Sequence, residues 1–156
     1  MPSHTWITVP LAVALELSGM NTFAGANGSA REAEAWHFVE EFNAAFAANN
    51  PDAYFKCVDE NITVITPANP YRVEGIRDDR EEFEYSLRQN VSRVSLWQAM
   101  QPKVQVYGET AVVSFFVRGS LGPNEQPKIV YWKVTDVLVK RGETWKIVHI
   151  HVSATP

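Results

Sequence analysis

From residue 29 onward, apolar positions recur first at helical spacing and then at every second residue. Ala35, Trp36, Phe38, Val39, Phe42, Ala45 and Phe46 form a stripe of helical period, which predicts a first helix opening at Ser29. Ser29 and Glu32 have the spacing of a capping box. Asn49-Asn50-Pro51 ends that helix, and Pro51-Asp52 begins a short second one holding Tyr54, Phe55 and Val58. Residues 61–66 alternate like a strand, closed by Pro67. A loop and the segment 72–75 follow. A charged third helix is then expected over about 77–89, with Phe83 and Leu87 facing inward. From Val91 the period becomes two, which predicts strands over roughly 92–107, 110–121, 128–140 and 144–153. Gly108-Glu109 and residues 121–125 supply turns between them. This order describes an α+β domain, with three N-terminal helices laid over one face of a curved antiparallel sheet.

The last two runs also predict where chemistry sits. Alternation separates Trp132, Val134, Asp136 and Leu138 from Tyr131, Lys133, Thr135, Val137 and Val139. It likewise separates Val148, Ile150 and Val152 from Trp145, Ile147, His149, His151 and Ser153. A three- or five-residue loop centred on Gly142 sets Asp136 across from Val148, or one pair along. Asp136 then shares a face with Trp132, Val134, Val148, Ile150 and Val152. His149 and His151 fall on the other face, with Lys133 and Thr135. A lone carboxylate on an apolar face costs free energy unless something uses it, so Asp136 is the first candidate for chemistry.

A chain of 156 residues, 46% hydrophobic and 12% aromatic, can bury one core and still leave a pocket. Its net charge of −4 argues against a nucleic-acid or anionic-membrane partner. No apolar run is long enough to span a bilayer. The single cysteine, Cys57, excludes an internal disulfide and a cysteine-rich metal site. Residues 1–28 read as an arm or linker ahead of a domain at 29–156. Within them, the apolar stretch from Ile7 to Leu17 and the small residues Ala24-Gly25-Ala26 suggest a cleaved signal. The lack of a preceding Lys or Arg, and the presence of Glu16, argue against one. A cytoplasmic location is expected, with a secreted or periplasmic one following if residues 1–26 act as a signal. No glycine-rich phosphate loop, nucleophile elbow or zinc motif is present.

Several stretches carry a family resemblance: Pro51-Asp52-Ala53-Tyr54, residues 61–67, Val73-Glu74-Gly75, Phe83 and, most specifically, residues 145–153. Together they resemble the nuclear transport factor 2-like superfamily, close to its SnoaL-like branch. The chain is also similar to the association domain of calcium/calmodulin-dependent kinase II and, more distantly, to ketosteroid isomerases. The resemblance covers about residues 30–156. It implies a cone-shaped fold enclosing a pocket, and a dimer. It leaves function open, since such folds include isomerases, dehydratases, cyclases and epoxide hydrolases beside members that only assemble or bind. The general-base aspartate of ketosteroid isomerases corresponds to Thr66 and their helix-one tyrosine falls near Phe42, so both groups are missing. Their proton-donating aspartate corresponds to Asp136, which is kept. The pocket arginines of the kinase association domain correspond to Val117, Asp136 and Val152. That implies a less cationic pocket and argues against a carboxylate ligand held by arginines.

Asp136 and Tyr54 are therefore the catalytic candidates. Among Val, Ile and Trp, the Asp136 carboxyl should hold its proton more tightly and act as an acid or as a hydrogen-bond donor. Tyr54 can offer a phenol. Trp132, Trp97, Phe115, Val134, Ile150 and Phe83 are expected to contact an apolar ligand, with Arg77 at the entrance. The plainer and favoured reading of Arg77-Asp78-Asp79-Arg80 is first-turn acids answering the helix dipole, together with surface ion pairs; the sharper one is that Asp79, Arg77 or Arg72 touches substrate. His149 and His151 lack a third ligand at a telling spacing, so no metal is expected. Their face is expected to pack against a second subunit. The function expected is proton transfer on a hydrophobic aromatic or polycyclic small molecule by an isomerase, dehydratase or other lyase, without metal or organic cofactor. The alternative is a non-catalytic dimeric ligand-binding or assembly domain.

Overall fold

The computed structural model describes residues 30–155. The expected arm, the signal-like stretch and the Ser29 cap lie outside them. Three helices, α1 (Ala30–Ala47), α2 (Pro51–Cys57) and α3 (Ile76–Arg88), accompany six strands. The strands are β1 (Val58–Ile65), β2 (Val73–Glu74), β3 (Arg93–Tyr107), β4 (Thr110–Gly122), β5 (Lys128–Arg141) and β6 (Thr144–Ala154). They form one curved, unclosed sheet in the order β2-β1-β6-β5-β4-β3. All neighbours are antiparallel except β1 and β6, which run parallel because α3 and the meander intervene between them. Val58, expected at the end of the second helix, instead opens β1.

Asparagines join the helices to the sheet. Asn49 takes a left-handed φ of 53° just past α1, and its amide mimics a strand neighbour. Its Oδ1 accepts from the Val94 N–H at 2.8 Å and its Nδ2 donates to the Val94 carbonyl at 2.9 Å. Asn50 caps α2 by accepting from the Ala53 N–H at 3.1 Å, and Pro51 follows at the first helical position, where a missing N–H costs nothing. At the other end of α1, Trp145 is buried beneath two cations. The Arg31 guanidinium carbon and Lys140 Nζ lie 5.6 and 5.2 Å from its ring centroid.

The last hairpin departs from the expected pairing in two ways. Its loop is only Gly142-Glu143, with Arg141 paired to Thr144. Gly142 has φ +64°, the positive value required at the first central position of a type II′ turn. A loop of two residues rather than three shifts the pairing by one, which by itself would set Asp136 opposite His149. A β-bulge cancels the shift. Leu138 pairs with Ile147 and Val137 with His149, leaving Val148 as the extra residue, and Asp136 falls opposite Ile150. Trp145 and Ile147, expected on the outer face, are therefore buried with the core at 2% and 0% exposure. Val148, expected inside, is only half-buried.

The bulge separates two neighbouring truncations. Ile147→Ala is expected to cost about 2–5 kcal/mol of unfolding free energy in urea titrations, and Val148→Ala less than about 1 kcal/mol. Uninterrupted alternation requires the reverse order.

Candidate functional site

The helices cover the inner face of the sheet but leave a cavity of about 210 Å³ against β1, β3, β4, β5 and β6. Its wall is mostly aromatic. Tyr54 stacks on Phe83 with centroids 4.8 Å apart, and Phe42 lies 4.6 Å from the Tyr54 ring. Phe46 meets Trp97 edge-on at 4.7 Å, and Trp97 meets Trp132 at 5.8 Å. Asn43 holds the Trp97 indole by accepting its N–H at 3.0 Å. That bond fixes the Asn43 amide, whose Nδ2 is left buried without a partner.

Asp136 lies on this wall, fully buried, and neither carboxyl oxygen has a hydrogen-bond partner. Val113 and Ile150 flank it in the register, and Val134 follows two residues away on the same face. Desolvation raises its pKa from 3.8 to about 8. Asp79 is a second buried carboxyl on the wall, at 7% exposure. Its backbone N–H closes the first turn of α3 onto the Gly75 carbonyl at 3.2 Å, while its Oδ2 has no partner. Burial, and then the nearby Glu82, raise its pKa to about 7. The Tyr54 phenol lies between these influences. Burial first, then the charges of Asp79 and Asp136, push its pKa well above the usual value, so it stays protonated. A titratable pair and a permanent phenol donor thus meet in one apolar cavity, an arrangement able to take up and return a proton.

The profile of the calcium/calmodulin dependent protein kinase II association domain matches residues 31–156. The chain belongs to that association-domain family. Solved structures agree. The Chlamydamonas reinhardtii CaMKII hub homology domain is 29% identical, over 80% of this chain and 98% of its own, with a TM-score of 0.65. The S. rosetta CaMKII hub is 26% identical, over 83% and 100%, with a TM-score of 0.68. An NTF2-like protein of unknown function from Pseudomonas putida KT2440 shares the fold at 16% identity, over 83% and 90%, with a TM-score of 0.71. No curated protein matches. The fold is the NTF2-like cone.

Within this association-domain fold, Asp136, Tyr54, Trp132, Trp97, Phe115, Val134, Ile150 and Phe83 all reach the cavity wall. Thr66 and Phe42 do too, so the positions without a base and without a phenol do face the cavity. Arg77 does not. It is exposed and pairs with Asp78 at 3.0 Å, because α3 already turns Asp79 inward and a residue two positions away falls on the opposite side. Asp79, set behind the dipole reading in the sequence, lines the cavity, and Asn43, Glu82, Ser86 and Ser92 are polar lining groups that the sequence reading did not name. A signal for Asp79 was present, since Ile76, Asp79 and Phe83 share the i, i+3, i+7 face of α3. His149 sits on the outer face, where its Nδ1 is 2.7 Å from Thr63 Oγ1. Among the described residues, no group of three or more His, Cys, Asp or Glu is arranged to hold a metal ion. No described helix is long and apolar enough to cross a membrane.

Asp136 makes folding stability depend on pH. Its native pKa near 8 exceeds its usual 3.8, so the native state binds more protons than the unfolded chain between those values. The contribution is favourable below about pH 4. It is lost at up to about 1.4 kcal/mol per pH unit as pH rises towards 8. Asp136→Asn should therefore be more stable than wild type in urea melts at pH 8, with the gap closing towards pH 4.5. An equal gap at both values would mean that Asp136 is ionised in the native protein.

Proposed function

We propose that the cavity performs cofactor-independent proton transfer on a hydrophobic ring compound, as an isomerase, dehydratase or other lyase. The observation that carries this reading is Asp136, whose carboxyl is buried, unpartnered and on the cavity wall. A carboxylate with a pKa near 8 is a stronger base than an exposed one, and its conjugate acid still forms at neutral pH. One such group suffices. In an isomerisation, Asp136 takes a proton from the carbon beside a carbonyl, and the C–H electron pair delocalises onto the carbonyl oxygen. Tyr54 stabilises that oxygen by donating a hydrogen bond, and Asp136 returns the proton one allylic position away. In an elimination, Asp136 takes the C–H proton and passes it to the neighbouring hydroxyl, and the C–H pair becomes a double bond as that hydroxyl departs as water. An engineered cavity of about 150 Å³ admits benzene, so about 210 Å³ favours one or two rings over a larger polycycle.

The family match favours a second reading, an assembly domain. Ile65, Phe116 and Tyr131 are exposed on the sheet face that also bears His149 and His151, a surface fitted to a second copy of the chain. We take self-association through this face to accompany the pocket.

For a ring substrate found by screening, Asp136→Asn should lower kcat at least about 100-fold, and Tyr54→Phe about 10-fold or more. With Asp136 acting first as base, wild-type kcat/KM should rise with pH and level off above about 8. Undiminished turnover by Asp136→Asn would remove Asp136 as the proton carrier, and a wild type that turns over no ring compound would end the enzymatic reading. In light scattering coupled to gel filtration, wild type should run as a dimer or larger, and Phe116→Asp should shift towards monomer. A monomeric wild type would remove the assembly reading.

A further inference from the structure

The charges on α3 are sorted by face. Asp79 and Glu82 line the cavity, while the basic residues of the helix turn away from it. Arg77 pairs with Asp78. Arg80 is held by Asp52 at 3.2 Å and Glu84 at 3.1 Å, and it packs over Phe55. Arg88 reaches Glu84 at 3.5 Å. Other elements add no positive charge. Among the described residues, α2 contributes Tyr54, β5 contributes Asp136, and no Lys, Arg or His from any helix, strand or loop lines the cavity. The remaining wall consists largely of aromatic rings, whose faces carry the negative lobe of the ring quadrupole.

We infer that the ring compound taken by this cavity bears a cationic nitrogen, an ammonium or a similar protonated amine, seated between the Asp79 carboxylate and the aromatic wall. This rests on the small-molecule reading of the same cavity and adds the ligand's charge to it. An anionic ligand would meet carboxyls and ring faces with no counter-charge. A neutral ligand without a donor would leave Asp79 Oδ2 buried unpartnered, and a neutral donor would leave the carboxylate's charge uncompensated. An ammonium supplies that partner and gains cation–π attraction in a desolvated site. The division of labour follows: Asp79 holds the charge, and Asp136 remains free to move the proton. With the Asp79 pKa near 7, a bound cation pulls its proton off, so binding near neutral pH releases protons.

The test is calorimetric titration of the full chain with three single-ring probes: benzylammonium, benzyl alcohol and benzoate. At pH 8 the ammonium should bind about tenfold or more tighter than the alcohol, and benzoate weakest. The preference should fade as pH drops below 7. At pH 7 the ammonium's enthalpy should vary with the ionisation enthalpy of the buffer. Asp79→Asn should bring the ammonium to the alcohol's affinity, whereas Asp136→Asn should keep the preference. Alcohol binding as tight as ammonium, or tightest binding by benzoate, overturns the inference and leaves the proton-transfer reading standing. Binding of none of the three removes both.

Discussion

The placement of Asp136 depends on a compensation within one hairpin. The two-residue Gly142-Glu143 turn sets an odd register, and the single extra residue at Val148 turns it even again. Had either been present alone, Asp136 would pair with a neighbour of the other face, and β6 would present His149 and His151 to the cavity in place of Ile150 and Val152. The bulge also divides β6 into two jobs. Below it, Trp145 and Ile147 anchor α1 and the core; above it, Ile150 and Val152 line the cavity beside Asp136. A bulge beside a site that re-aims side chains is a recurrent use of this irregularity.

The carboxyls that result are costly, and the surroundings determine what form the cost takes. Neither Asp136 oxygen meets a donor, so burial penalises the ionised form and the group retains its proton. Leaving a buried polar atom unpaired typically costs about 1–3 kcal/mol. Core packing alone would favour a leucine or valine at such a place. Asp79 repeats the pattern from the helix side, and Asn43 Nδ2 adds an unpaired donor. Three unsatisfied groups on one cavity wall amount to a hydrogen-bonding demand that the proposed ligand would meet. Stability is given up where a ligand can restore it, as in other sites held ready for binding.

Most of the fold was legible because hydrophobic period switches cleanly from helix to strand near residue 91, and because Asn-Pro and Gly-Glu pairs mark the boundaries. Asp136 was legible by the same logic, as the one carboxyl on an apolar strand face. Asp79 satisfied that criterion on α3, between Ile76 and Phe83, yet an acid in a first turn already has an explanation in the helix dipole. The more familiar cause obscured the rarer one. The faces of β6 failed for a different reason. Alternation assigns faces only while every residue of a strand is paired, and nothing local in Lys146-Ile147-Val148-His149 announces an unpaired one. The mismatch becomes visible only when both the turn and the register beyond it are known.

The proposed assembly and the proposed catalysis need not compete in this molecule. Along β5, Trp132, Val134 and Asp136 face the cavity, while Tyr131, Lys133 and Thr135 face outward, so adjacent residues serve different surfaces. The carboxyls lie on the inner wall, and an interface on the outer face would neither cover nor complete them. What couples the two faces is the rigidity of the sheet itself. A partner packed against Phe116 and Tyr131 would hold the curvature of β4 and β5, and that curvature sets the distance between Asp136 and the helix carrying Asp79. For the proposed proton transfer, in which Asp136 must wait close to a carbon without closing on it, that restraint is an advantage of pairing that requires no residue to be shared.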